Sequence, residues 1–301
     1  MNLQEIINVY ITFCTEQKTL STKTTKAYQT DLRQFADYTN SIFDREHIQS
    51  YITQLHRSFK PKTAKRKIAT LKAFTHYLMV QDLISANPFD KIETSFREPV
   101  LLPKTIPFNI ISAILSSAYS SLKVCQTDYS RKCVLRDIAV LEILFATGAR
   151  VSEICTLTPG AMDLENHMLK IFGKGSKERI IQIEHPDVLK ALSNYFRAFQ
   201  DEIYTAGFFF VNKLKHRLSE RSVRAMINRY VNAVGYERHV TPHMFRHSFA
   251  TLLLEEDVDI RYIQKILGHS SITTTQIYTH VAMAKQKEIL SIKHPRNKIK
   301  I

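Results

Sequence analysis

Arginine, lysine, histidine and tyrosine recur in five short segments of the second part of the chain, and each of these side chains can act on a phosphate. Ala146-Thr147-Gly148-Ala149-Arg150-Val151-Ser152-Glu153 places an arginine after a helix-ending glycine and before a new helix start. Gly173-Lys174-Gly175-Ser176-Lys177-Glu178-Arg179 has glycines that allow a tight hairpin, which would lay a lysine in a nucleic-acid groove. Its spacing is not that of a phosphate-binding P-loop. In Thr241-Pro242-His243-Met244-Phe245-Arg246-His247, Thr241 suits an N-cap and Pro242 the first helical position. His243 and Arg246, three apart, then share a face near a helix N-terminus, where unpaired backbone donors favour an anion. Phe245, Phe249, Leu252 and Leu253 would form the core stripe of that helix. The last two segments are Leu267-Gly268-His269-Ser270 and Thr273-Thr274-Thr275-Gln276-Ile277-Tyr278-Thr279-His280.

Taken singly, each segment has a plainer reading: a surface arginine, an exposed basic turn, a histidine after a helix end, a tyrosine in a core or rim. His243 and His247 as a metal pair at i and i+4 would lack the glutamate of HExxH and an evident third ligand, so neither a metal nor another cofactor is expected. The weight lies in the combination.

Apolar periodicity indicates the elements that must position these groups. In the first third, Ile6, Ile7, Tyr10 and Phe13, then Tyr28, Leu32, Phe35 and Tyr38, then Ile48, Tyr51, Ile52 and Leu55, then Ile68, Leu71, Phe74 and Leu78 recur at helical spacing. Ser21 or Thr22 can cap the second helix, Asp44 the third, and Pro61 fits the opening turn of the fourth. Asn87-Pro88 ends this run, and Glu98-Pro99 through Pro103 to Pro107 reads as an extended linker. A helix capped by Asn109 follows, then a strongly apolar one over 137–146 that Gly148 terminates. Met168–Phe172 and Arg179–Ile183 are strand candidates flanking the basic turn. Phe208–Val211 suits either a strand or a buried apolar segment. The expected fold is mainly α: a four-helix N-terminal domain over residues 1–93, a linker over 94–107, and a mixed, mostly helical domain with a small β-hairpin over 108–301.

Charge points to the partner. The 301 residues carry 42 Lys and Arg against 28 Asp and Glu, a formal charge of +14. Such an excess suits a nucleic acid, where phosphate neutralisation with counterion release supplies much of the affinity. Lys60, Lys62, Lys65, Arg66 and Lys67 interleave with the apolar positions of the fourth helix and form either a phosphate-tracking face or a solvated one. The segment from Lys285 to Ile301 is also basic and would be a tail or a helix lent to a partner subunit. No membrane is implied, because no lipidation motif or long apolar span is visible. The N-terminal residues lack the layout of a signal peptide, so a cytoplasmic protein is expected. Cys14, Cys125, Cys133 and Cys155 form no CxxC pair and read as reduced thiols.

Together the five segments resemble the tyrosine recombinase (phage integrase) family, and closely its Xer-like bacterial members. The resemblance covers residues 108 to about 290, where the ordered Arg, Lys, His-x-x-Arg, His and Tyr fall on Arg150, Lys174, His243, Arg246, His269 and Tyr278. The flanking Arg150-Val151-Ser152-Glu153, Leu267-Gly268-His269 and Thr275-Gln276-Ile277-Tyr278 are similar too. The first domain is similar in length and layout to the family's SAM-like core-binding domain, though it carries no comparable motif.

The resemblance implies a site-specific DNA recombinase, serving integration, excision or dimer resolution, that attacks the scissile phosphate with Tyr278 and forms a 3′-phosphotyrosyl link. Arg150 and Arg246 would hold the non-bridging oxygens and stabilise the transition-state charge, Lys174 would protonate the leaving 5′ oxygen, His243 would assist proton removal from the tyrosine, and His269 would bond the phosphate. A phenol with a reference pKa of about 10 needs such help near neutral pH. Glu153 suits either a brace for the site or an ordinary helix-start charge. The partner implied is double-stranded DNA with specific recombination sites, clamped between the two domains, with a homotetramer, or a heterotetramer with a related recombinase, passing through a Holliday junction. The rivals are a type IB topoisomerase relaxing DNA, a catalytically silent DNA-binding protein and a metal-dependent nuclease.

Overall fold

Ser21, Asp44 and Pro61 open three of the helices of the first domain, each by the chemistry its residue type supplies. The computed structural model of the chain describes residues 2–94, 103–173 and 178–268. Helix α1 spans Leu3–Glu16, α2 Thr22–Tyr38, α3 Arg45–Ser58 and α4 Pro61–Val80. The Ser21 hydroxyl accepts the Thr24 N–H and the Asp44 carboxylate accepts the His47 N–H, while Pro61, which has no N–H to leave unpaired, takes the first position of α4. The apolar stripes meet in a core of their own, with Tyr10, Leu32, Phe35, Ile48, Leu55, Leu71 and Phe74 all buried. The compact units of the chain are Met1–Val100 and Leu101–Ile301.

The basic run on α4 divides in two. Lys60, Lys62 and Lys65 are exposed, but Lys67 is only 3% exposed. Its ammonium donates to Asp31 Oδ1 at 3.0 Å and to Gln34, and sits over the Phe59 ring. Arg66 pairs with the same carboxylate, whose second oxygen also accepts the Thr70 hydroxyl at 3.1 Å. Asp31 is buried on α2, and its charge is tolerated there because each oxygen is met by a donor. Lys67 thus belongs to the packing of α2 on α4 and to neither of the two surfaces expected of it.

In the second unit α5 spans Phe108–Lys123, α6 Asp128–Thr147, α7 Val151–Cys155, α8 Pro186–Ala206, α9 Glu220–Ala233, α10 Pro242–Glu255 and α11 Ile260–Leu267. Asn109 does not cap α5. The helix starts at Phe108 behind Pro107, whose fixed φ fits the cap position, and no side chain bonds the first turn. The apolar run of α6 is buried on every face from Asp137 to Leu144, and α6 packs against α5, α8 and α10. Gly148 ends it in the left-handed region at φ 58°, as its type allows.

Strands β1 (Met162–Asp163), β2 (Met168–Phe172) and β3 (Glu178–Gln182) form an antiparallel sheet in that order, with Lys170 opposite Ile180 and Phe172 opposite Glu178. The second strand of the hairpin starts one residue earlier than its pattern suggests, and the Ile183 N–H still bonds the His167 carbonyl at 2.8 Å. Lys174–Lys177, the tip, lies outside the described residues. Phe209, Phe210 and Val211 are fully buried but form no strand. The Tyr195 hydroxyl donates to the Phe209 carbonyl and accepts the Val211 N–H, giving that backbone the partners a sheet would have supplied. All four cysteines are free thiols, and burial pushes the Cys155 thiol up to about 12.

Candidate functional site

Three of the six expected groups lie within or beside described elements of the second unit. Arg150 occupies the corner between α6 and α7, His243 and Arg246 lie on the first turns of α10, and α11 runs up to Leu267 and Gly268. His269 and Tyr278 lie outside the described residues, as does Lys174.

Arg246 joins these elements. Its guanidinium is 1% exposed, and Nη1 donates to the Gly148 carbonyl at 2.7 Å while Nη2 donates to the Leu267 carbonyl at 2.6 Å. Both acceptors end helices, where carbonyls lack intrahelical donors and carry partial negative charge, so a buried cation is held well there. Gly148 precedes Arg150 by two residues and Leu267 precedes His269 by two. One side chain thereby fixes the necks of two of the five segments. His243, which should share its face, is exposed, so the two differ in surroundings.

The packing at this corner is tight enough to require glycine. A Cβ on Gly148 would lie 2.6 Å from Phe249 Cδ1 and 2.8 Å from Leu267 Cδ2, at a φ that L side chains avoid. Gly148→Ala should therefore destabilise the second unit by roughly 2–4 kcal/mol, from the backbone penalty and the overpacking together. A parental urea midpoint for this variant would contradict the packing described. The expected apolar stripe of α10 is also redistributed. Phe245 is fully buried in the main core, whereas Phe249 and Leu253 are partly buried in a satellite cluster with Ala250, Ile263 and Leu267 of α10 and α11. Thr241 precedes the helix as expected, but its hydroxyl makes no capping bond.

Glu153 is a brace. Its side chain is 7% exposed, and its oxygens accept the Arg150 N–H at 2.8 Å and Arg150 Nη1 at 2.8 Å. The same carboxylate accepts Arg179 Nη1 at 3.0 Å and Nη2 at 2.7 Å. Burial pushes the Glu153 pKa up, but the Arg179 fork, the Arg150 N–H and the Arg150 guanidinium outweigh it and hold the carboxyl below its ordinary value. Arg179 also donates through Nε to the Ile266 carbonyl at 2.9 Å. Arg179 closes the basic Gly173–Arg179 segment, and the sequence alone assigns it no role. The signal was present: Arg179 alternates with Ile181 of β3 and with Ile183 just beyond it, an inward face that is an unusual place for an unpaired cation.

The rings of His243 and His247 meet edge to face at 4.6 Å. Burial, with the nearby His243 and Arg246, lowers the His247 pKa from 6.5 to about 4. Between those values the unfolded chain binds a proton that the folded chain does not, so this contribution is full above about pH 6.5 and is lost as pH falls toward 4. Discounted for partial exposure, it is on the order of 1 kcal/mol. His247→Gln should flatten the fall in urea midpoint between pH 7 and 4, and an unchanged slope would contradict a neutral His247. Among the described residues no group of three potential metal-ligating His, Cys, Asp or Glu side chains is found. Among them, too, no helix is long and apolar enough to cross a membrane.

Comparison with known proteins places the chain in a family. Residues 119–285 match the phage integrase family and residues 7–82 match the phage integrase N-terminal SAM-like domain. A tyrosine recombinase of Agathobacter rectalis is 50% identical, covering 98% of this chain and 98% of that one. Tyrosine recombinase XerD of Listeria innocua is 34% identical over 98% of this chain and 100% of its own. Among solved structures, the XerH site-specific recombinase bound to palindromic difH substrate in a post-cleavage complex aligns with a TM-score of 0.76 at 23% identity, covering 93% of this chain and 82% of that one, a likeness of fold. The chain belongs to the phage integrase family. Its activity is that of the tyrosine recombinases, enzymes that break and rejoin DNA strands.

Proposed function

We propose that this chain recombines double-stranded DNA at specific sites in the cytoplasm, through a 3′-phosphotyrosyl intermediate on Tyr278. The observation that carries the reading is the pair of hydrogen bonds from buried Arg246 to the Gly148 and Leu267 carbonyls, which sets Arg150 and the segment leading to His269 around one buried positive charge.

The Tyr278 phenolic oxygen forms a bond to the scissile phosphorus as the bond from phosphorus to the 5′ oxygen breaks. His243, exposed at the start of α10, assists removal of the phenolic proton, and Lys174 supplies a proton to the leaving 5′ oxygen. Arg150, with side chain 37% exposed, presents its guanidinium to a non-bridging oxygen, and Arg246 adds a fixed charge from within the protein. His269 completes the phosphate's hydrogen bonds. Attack of the released 5′ hydroxyl of a second strand on the phosphotyrosine restores the enzyme, and because one phosphoester replaces another no nucleotide hydrolysis is required. Residues 1–93 and 108–301 act as the core-binding and catalytic domains on either side of the 94–107 linker, and four subunits act on two paired sites with the basic segment after Lys285 packed on a neighbour.

The test is strand exchange between two labelled duplexes carrying a candidate site, with EDTA present. Recombinant products dependent on the site are expected. Relaxation of site-free plasmid at full rate without any exchange would favour a topoisomerase instead.

A further inference from the structure

We propose that Arg179 is a positioning residue for strand cleavage, which keeps the charge of Arg150 available to the scissile phosphate and fixes Arg150 relative to the end of α11. The proposal rests on the assignment of Arg150 to that phosphate.

A carboxylate facing a single guanidinium makes a neutral pair, and Glu153 with Arg150 alone would cancel the charge that a phosphate needs. Arg179 changes this balance. Its two Nη groups take one oxygen each of Glu153, in the fork geometry that suits a carboxylate, so two guanidinium groups share one negative charge and the triad keeps one positive charge. That surplus is displayed outward, because the Arg179 side chain is 10% exposed and that of Arg150 37%. Arg179 Nε meanwhile holds the Ile266 carbonyl, and a Cβ on Gly268 would lie 2.9 Å from Arg179 Nη1, so the backbone of the turn after α11 comes directly against the guanidinium. The same planar group therefore spans β3, the start of α7 and the end of α11. A lysine could reach one of these partners at a time.

Single-turnover covalent capture on a nicked duplex that the parent cleaves tests this, run with a phosphodiester and with a methylphosphonate at the scissile position. Arg179→Met should slow phosphodiester cleavage about 100-fold. Adding Glu153→Gln should recover part of that loss, because the neutralising carboxylate is gone while the bond from Arg179 Nε to the Ile266 carbonyl stays lost. On the methylphosphonate, which carries no negative charge at phosphorus, the Arg179→Met deficit should shrink to a few-fold. A purely structural role predicts equal deficits on both substrates and no recovery in the double variant, and either result overturns the proposal. Should Arg179→Met fail to fold, Arg179→Lys decides: a loss of about 10-fold on the phosphodiester alone is expected, and parental rates would overturn it. Arg150→Met cleaving the phosphodiester at the parental rate would defeat the assignment of Arg150 and leave the Arg179 measurements distinguishable from it.

Discussion

Tyr278→Phe should bind DNA as the parent does and form no covalent adduct, with cleavage reduced by roughly 10⁴-fold or more. The substitution removes one oxygen and keeps the ring and the chain's charge, so binding is retained while the proposed attacking atom is lost. Gel shift at fixed salt and denaturing electrophoresis of the trapped species separate the two properties. Residual adduct at more than about a hundredth of the parental rate would transfer the nucleophile elsewhere.

Arg246→Ala should lose both activity and stability. The Gly148 and Leu267 carbonyls would each be left buried without their donor, at about 1–3 kcal/mol apiece, and the emptied volume adds a cavity term. A total of about 3–5 kcal/mol is expected, with cleavage down at least about 10³-fold because Arg150 and the segment after Leu267 lose their common anchor. Arg246→Lys should recover part of the stability and little of the rate, since an ammonium cannot hold two separated carbonyls in one plane. Chemical denaturation and single-turnover cleavage on the same preparations check both. Parental stability in Arg246→Ala would contradict the anchoring role.

Much of the local architecture was legible because it depends on single residues acting on their own backbone. Ser21, Asp44, Pro61 and Gly148 begin or end the helices expected of them, and the four apolar stripes of the first domain give its core except at Tyr38, which is exposed. Asn109 misled because Pro107 competes for the same helix start and determines φ without a side-chain bond. What depends on distant partners was not legible. Lys67 looked like its basic neighbours, and only the approach of Asp31, thirty-six residues earlier, turns it inward. Arg246 shares a helical face with His243 in the sequence, yet the two helix-end carbonyls that bury it come from residues 98 before and 21 after it. Arg179 was hidden for the same reason, its carboxylate lying 26 residues away. Candidate site residues follow from their order along the chain, whereas the contacts that brace Arg150 and the ends of α6 and α11 arise only in space.

The most direct measurement of the central claim is proteolysis of the covalent complex formed on nicked DNA in EDTA, followed by mass mapping of the modified peptide. A DNA 3′-phosphate adduct on Tyr278 is the predicted result. Attachment to any other residue, or a complex that requires a divalent metal to form, would contradict it.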